Sequence, residues 1–414
     1  MLEQITIQGF KSLHHIEGLS LPCLAVLFGP NAAGKSNFLD AVQALSRISA
    51  SRTLSDALQD PIRGYSVEAF TFPAGGLTEL LTQASAGFKL DALLKIDKER
   101  FQYRIGVQIE PRSGNIAVTD EYLAQLTSTG LSKGNALIEQ VEKELRIRRK
   151  SKPAHPRTEP IGLNHSLLSD PRLGGVEYRG VERCRKEFSG WRTYYLDPRV
   201  AMRRAVPPAN VEDIGVLGEN IAPFLYRLKE EKEHQKHFQA VVRTLRTLIP
   251  TVEGVSVDLD TRRGTLDIVV RQNGVDYSSR IISEGTLRVL ALCAIVVNPW
   301  GGSLVAFEEP ENGVHPRRLE LIADLLTSLV LDQGRQLIVT THSALFCSAM
   351  FKKAREKPQD IGLFRVSQGP RGTDITRFDV TGPLFQDEEI TNALSAGGED
   401  GLFDALVMRG ILDA

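Results

Sequence analysis

Long apolar runs are missing from this 414-residue chain. The longest, VLALCAIVV at 289–297, is far short of the roughly 20 residues that a membrane-spanning helix requires. The opening MLEQITIQGF has no basic segment followed by an apolar one, so it is not expected to be a secretory signal. Cysteine is scarce, and Cys23, Cys184, Cys293 and Cys347 form no CxxC pair and no metal-ligand spacing with histidine. That excludes zinc-ribbon and thioredoxin-like chemistry, and leaves small thiols in apolar runs, as expected of a reducing cytoplasm. An excess of one charge is also missing, with 50 basic against 51 acidic residues. There is no internal repeat and no sustained heptad pattern. What remains is the expectation of a soluble cytoplasmic protein without membrane contact, 42% hydrophobic and longer than one average domain.

Along the chain, LEQITIQGF alternates in period two and CLAVLFG (23–29) is a short apolar run, so both are expected strands, and SNFLDAVQALSRI (36–48) has helical spacing. Residues 89–122 read as a hairpin turning through PRSGN, whereas 136–150 fits neither the helical nor the strand period. Residues 150–190 are rich in Pro, Gly and Arg and are expected to be mostly loop, and WRTYYLDP (191–198) reads as a strand returning to the sheet. A helical stretch at 219–249 precedes two strands joined at TRRG. Helix and strand then alternate: helix 286–297, strand 303–308, helix 316–331, strand 335–341, helix 343–350 and strand 360–366. The pattern is that of an α/β fold. Between Lys143 and Arg204 there are 16 Lys/Arg against 7 Asp/Glu. This stretch is either a solvated, partner-docking face or a contact for DNA or RNA, for which Arg146, Arg148, Arg149, Arg203 and Arg204 are the candidates.

GPNAAGKS (29–36) matches the phosphate-binding pattern G-x-x-x-x-G-K-S between an apolar strand and an amphipathic helix. Gly29 and Gly34 permit backbone angles that, after Pro30, aim the successive N–H groups of Asn31, Ala32, Ala33 and their neighbours at a phosphate. Lys35 adds a charge, Ser36 offers its hydroxyl to Mg²⁺, and Asn37 continues into the helix, whose positive dipole end faces the anion. ATP with Mg²⁺ is the expected ligand.

LVAFEEPENGVHP (304–316) sets two adjacent carboxylates at the end of an apolar strand, where they repel unless a cation offsets them. The nucleotide's Mg²⁺ supplies one: Glu308 is the expected metal ligand, and Glu309 the group that orients or deprotonates the attacking water. A solvated acid pair is the alternative. Ser283 and Gly285, in IISEGTLRVLAL, open a second helix built to receive an anion, most economically on another subunit's ATP. His342, ending LIVTTHSALF, is placed to contact a γ-phosphate, although a histidine there is by itself more often structural.

These motifs, with ITIQGFKSL and YYLDPRVAMRR, resemble the ABC-type ATPase head, and within it the RecF/SMC branch and compact prokaryotic ATPases grouped with OLD-family proteins. The resemblance implies a P-loop head made of 1–50 and 250–382, an inserted lobe at 51–249 with strands and helices, and an acidic tail at 383–414. It further implies that two copies sandwich two ATP molecules, as a homodimer or larger homo-oligomer. Such a switch would act on nucleic acid or on a separately encoded nuclease or toxin, in anti-phage defence or DNA repair. SEGT departs from the usual signature by placing Glu284 near the expected γ-phosphate. The 72 residues after His342 lack the metal-binding domain of an OLD nuclease. A transporter subunit fits poorly, because 247 positions separate Ser36 from Ser283. A slowly turning over, ATP-bound scaffold remains the alternative.

Overall fold

The computed structural model describes residues 1–59 and 62–380, so the expected tail at 383–414 lies outside the described residues. Two compact units are present.

The first unit holds Met1–Trp191 and Phe364–Phe378. It opens with the antiparallel strands β1 (Leu2–Phe10) and β2 (Leu13–Ser20), then β3 (Leu24–Phe28) and α1 (Lys35–Ile48). All five residues of β3 are buried, as expected of a strand covered on both faces. Two short helices, α2 (Leu54–Ala57) and α3 (Gly76–Leu80), lead to β4 (Ala86–Ile96), β5 (Glu99–Glu110) and β6 (Asn115–Leu126). The expected hairpin at 89–122 is therefore a three-stranded meander. Its alternation of buried and half-exposed positions shows one face turned to the core.

The ambiguous 136–150 resolves into β7 (Ile138–Val141) and β8 (Glu144–Ile147), a hairpin too short to declare a period, turning at Glu142 with φ 56°. With β9 (Arg157–Pro160) these complete an antiparallel sheet in the order β2-β1-β4-β5-β6-β7-β8-β9. Strands of the 51–249 stretch thus hydrogen-bond to the N-terminal strand. The expected loop at 150–190 also contains α4 (Arg179–Ser189), whose buried Val181, Cys184 and Phe188 are masked in the sequence by charged neighbours. The fully buried Glu121 pins the preceding segment: its carboxylate accepts from the Ser166 hydroxyl at 2.7 Å and from the N–H groups of Leu167 and Leu168.

The second unit is built on Arg192–Leu363. It begins with β10 (Arg192–Tyr194), the expected returning strand. The helical stretch at 219–249 is two helices, α5 (Ile221–Glu230) and α6 (Gln235–Leu248). Strands β11 (Val252–Asp260), β12 (Thr265–Gln272) and β13 (Val275–Ser278) form an antiparallel sheet of three. The β12–β13 turn is Asn273-Gly274, with φ 51° and 75°, the pair of positive angles a tight hairpin requires. Then follow α7 (Glu284–Val297), β14 (Leu304–Glu308), α8 (Leu319–Leu331), β15 (Gln336–Thr341) and α9 (Ala344–Glu356). β10, β14 and β15 pair in parallel, and β15 is buried at every position. The chain returns to the first unit through β16 (Ile361–Gly369) and β17 (Gly372–Phe378), which lie beside β3. Among the described residues, no helix is long and apolar enough to cross a membrane.

Candidate functional site

In the first unit, the loop from Gly29 to Asn37 joins β3 to α1. Its glycines are required by space as well as by angle. A Cβ on Gly29 (φ 152°) would lie 2.1 Å from the Val366 carbonyl oxygen, and one on Gly34 (φ 104°) would lie 2.0 Å from Thr373 Oγ1. Ala32 also has a left-handed backbone, φ 65°. Lys35 folds back over the loop, its Nζ donating to the carbonyls of Gly29 at 2.7 Å and Pro30 at 2.8 Å. Such a coil of backbone N–H groups around one ammonium is what a polyphosphate chain needs. Behind it, Asn37 Nδ2 donates to Ser12 Oγ at 2.7 Å, and Thr373 Oγ1 donates to the Ala33 carbonyl at 2.9 Å. A cavity of about 390 Å³ adjoins Asn37, with Lys11, Ser12, His14 and Phe72 in its lining. ITIQGFKSL contributes two of these residues, Lys11 and Ser12, which the sequence did not single out.

In the second unit, β14 ends at Glu308 and the chain turns sharply at Glu309, a non-glycine residue at φ 48°. Its N–H donates to the Thr340 carbonyl at 3.0 Å, which holds this strained backbone against the end of β15. That attachment brings Glu309 Oε1 to 2.7 Å from His342 Nδ1. A proton on Nδ1 makes this a charge-assisted hydrogen bond, and a further proton on Nε2 makes that nitrogen a donor for an anion. Glu309 and His342, predicted separately, therefore form one group.

Ser283 caps α7, accepting from the Thr286 N–H at 3.1 Å. Gly285 has a second reason to be glycine. A Cβ there would lie 2.0 Å from the carbonyl oxygen of Gly313, so the turn after Glu309 crosses the first turn of α7 in backbone contact. Glu284, the departure in the signature, is paired with Arg199 at 2.9 Å.

Residues 24–348 match the family described as "AAA domain, putative AbiEii toxin, Type IV TA system". The chain belongs to this AAA_21 family. Its AAA domain makes it an ATP-hydrolysing P-loop enzyme. No curated protein matches the AAA_21 chain by sequence. Among solved structures it is similar to an SMC head bound to the C-winged helix domain of ScpA, at 14% identity and TM-score 0.52, over 92% of this chain and 98% of that one. That likeness shows the fold. An SMC head domain from Thermotoga maritima aligns at 15% identity and TM-score 0.43, over 91% of this chain and 99% of that one. RecF bound to ATPrS aligns at 14% and 0.42, over 92% and 98%.

Two residues of this AAA_21 ATPase went unnoticed in the sequence. Glu311 is only 6% exposed; one carboxylate oxygen accepts the Thr341 hydroxyl, and the other is buried without a partner. Burial pushes its carboxyl up to about 7, with nearby Glu309 adding to the rise. The hint was a third acid directly after the apolar strand and Pro310. Arg288, one turn into α7, has its charge disfavoured by burial and favoured by Glu309, Glu284, Asp197 and Glu308 around it.

Part of the basic stretch is held in ion pairs. Arg148 pairs with Glu139 at 2.6 Å, and Arg183 with Asp97 at 2.8 Å. Arg203 donates to four backbone carbonyls: Pro198 at 2.8 Å, Ser279 at 3.0 Å, Arg280 at 2.6 Å and Ile282 at 2.8 Å. It braces the loop leading to Ser283. Arg146 is half-buried on β8, Arg149 is half-buried beyond it, and Arg204 is exposed.

Proposed function

We propose that this ATPase is a nucleotide-timed clamp. Two copies enclose two ATP molecules, each held by Gly29–Asn37 of one copy and by the Ser283–Gly285 turn of the other. The hydrogen bond between Glu309 and His342 carries the reading, because it sets a base and an imidazole together immediately after the apolar strand that ends in Glu308. Glu309 takes the proton of the attacking water, and His342 offers its other ring nitrogen to the γ-phosphate.

The donors suit Mg²⁺. Ser36 and Glu308 are hard oxygen ligands, and no group of three or more His, Cys, Asp or Glu among the described residues forms a dedicated metal cage. An ion that arrives with the nucleotide and keeps several waters needs no more protein ligands than these two. When bound, it offsets charge on the phosphates and on Glu308.

We assign the head to 1–50 and 250–382 and the output to the 51–249 lobe, acting on nucleic acid or on a separately encoded nuclease or toxin in defence or repair. The family description, which names a putative toxin of a type IV toxin–antitoxin system, supports a role within such a system. Light scattering after size exclusion tests the clamp. Glu309→Gln with ATP and Mg²⁺ is expected to form a dimer or larger species that the nucleotide-free protein does not form. An identical particle under both conditions would overturn it.

A further inference from the structure

We infer that the lobe carries a second site for a nucleoside phosphate, in a cavity that no P-loop residue lines. The cavity, about 450 Å³, lies in the first unit where β5, the β7–β8 hairpin and the start of α4 meet. That volume is within the range of small-ligand pockets, roughly 300–1,000 Å³. Phe101 and Val181 lie buried in its lining, Leu137 is half-buried and Tyr178 is partly exposed. These give a planar ring an apolar wall.

Charge is supplied by Arg149, Lys150 and Arg179, which all line the cavity and, among the described residues, have no carboxylate within ion-pair distance, although Glu177 acts on Arg149 and Lys150 from farther off. Arg149 is under-satisfied: its Nε is buried with no acceptor, and its one hydrogen bond is a long 3.4 Å contact to the His155 carbonyl. A buried donor left this way is costly, so an acceptor arriving with a ligand is favoured. The other charged groups in the lining are already engaged. Arg148 is held by Glu139, Arg183 by Asp97 and Glu99, and Gln125 donates to Glu99 at 2.7 Å. Glu177 accepts from the N–H and hydroxyl of Ser151 at 3.1 and 2.7 Å. With five cationic side chains in the lining against Glu99 and Glu177, the balance of charge there is positive.

The N-terminus of α4, an 11-residue helix, opens here without a side-chain cap, so its first N–H groups add to that balance. Guanidinium forks and an uncapped helix start match a phosphate better than a peptide carboxylate, and Asn135 can both donate to and accept from a base edge. The ligand class is a nucleoside phosphate, either free or as the 5′ end of a single strand. The inference rests on the reading of this lobe as a part that meets nucleic acid.

The test uses the full chain carrying Lys35→Ala, which silences the P-loop, with three probes: AMP, a short 5′-phosphorylated oligothymidylate, and the same strand without its phosphate. Calorimetry is expected to show binding that falls at least tenfold with Arg149→Ala plus Arg179→Ala. Leu137→Trp, which fills the cavity, should abolish it, whereas Leu137→Met, of similar volume, should retain it and controls for folding. AMP binding identifies a free nucleotide as the ligand, and preference for the phosphorylated strand identifies a strand end. A strand bound equally by parent and both variants leaves the nucleic-acid reading standing and overturns the pocket. Failure of the parent to bind any probe, or displacement of AMP by oligoglutamate at equal concentration, also overturns it.

Discussion

Glu309 Oε1 stands 2.7 Å from His342 Nδ1, across 33 residues of chain, because the left-handed turn at Glu309 is tied to the last residues of β15. The Glu309 carboxylate is thus aimed by the element that carries the histidine. Removing the carboxylate charge with Glu309→Gln should lower ATP turnover by about 10²–10⁴-fold, the usual range for a general base, and leave ATP affinity nearly unchanged. Phosphate release and equilibrium nucleotide binding measure the two; a parallel loss of affinity would remove Glu309 from the chemical step.

Glu311 predicts a pH signature in stability. Its folded carboxyl titrates at about 7, above the ordinary 4.5, so the native state holds a proton that the unfolded chain has released. Stability therefore falls as pH rises from the ordinary value to the folded one, and is level beyond, by on the order of 3 kcal/mol in total. Glu311→Gln keeps the neutral form at all pH. The melting temperature of the variant minus that of the parent should climb across this window and then stay flat. A difference independent of pH would show that Glu311 is ionised in the folded protein.

The parts legible in the sequence are those set by neighbouring residues. The P-loop is legible because its glycines answer to local angles, and β14 because an apolar run ending in two acids declares a buried strand with a polar exit. Glu311 is not legible, since its burial depends on Thr341, 30 positions away. Nor is Arg203, which looks like one more cation in a basic stretch until the carbonyls 76–79 residues later are placed around it. The β7–β8 hairpin offers too few positions to show a period. Pairing decided it, and pairing is tertiary.

Arg203 predicts a positioning effect. Arg203→Ala leaves carbonyls of Ser279, Arg280 and Ile282 without their common donor, and should lower stability by about 1–3 kcal/mol. It should also weaken ATP-dependent association in the Glu309→Gln background, with ATP binding to the P-loop retained. Arg203→Lys should rescue little, because one ammonium cannot reproduce a planar fork on several carbonyls. Rescue by lysine would reduce the role to charge alone.

Gly285 gives the strictest steric prediction. A methyl group there would stand 2.0 Å from the Gly313 carbonyl oxygen, which is backbone and cannot rotate aside. Gly285→Ala must therefore separate α7 from the turn that follows Glu309, at a cost of about 1–3 kcal/mol for overpacking. Because that turn also positions Glu309 and Glu311, turnover should fall together with ATP-dependent association. Fluorescent-nucleotide binding to the P-loop, measured on protein shown to be folded by its melting transition, should persist. A simple anion-contact role for Gly285 predicts something else: association lost, but basal turnover and melting temperature unchanged. The melting curve and the basal rate together separate a backbone crossing from a phosphate contact.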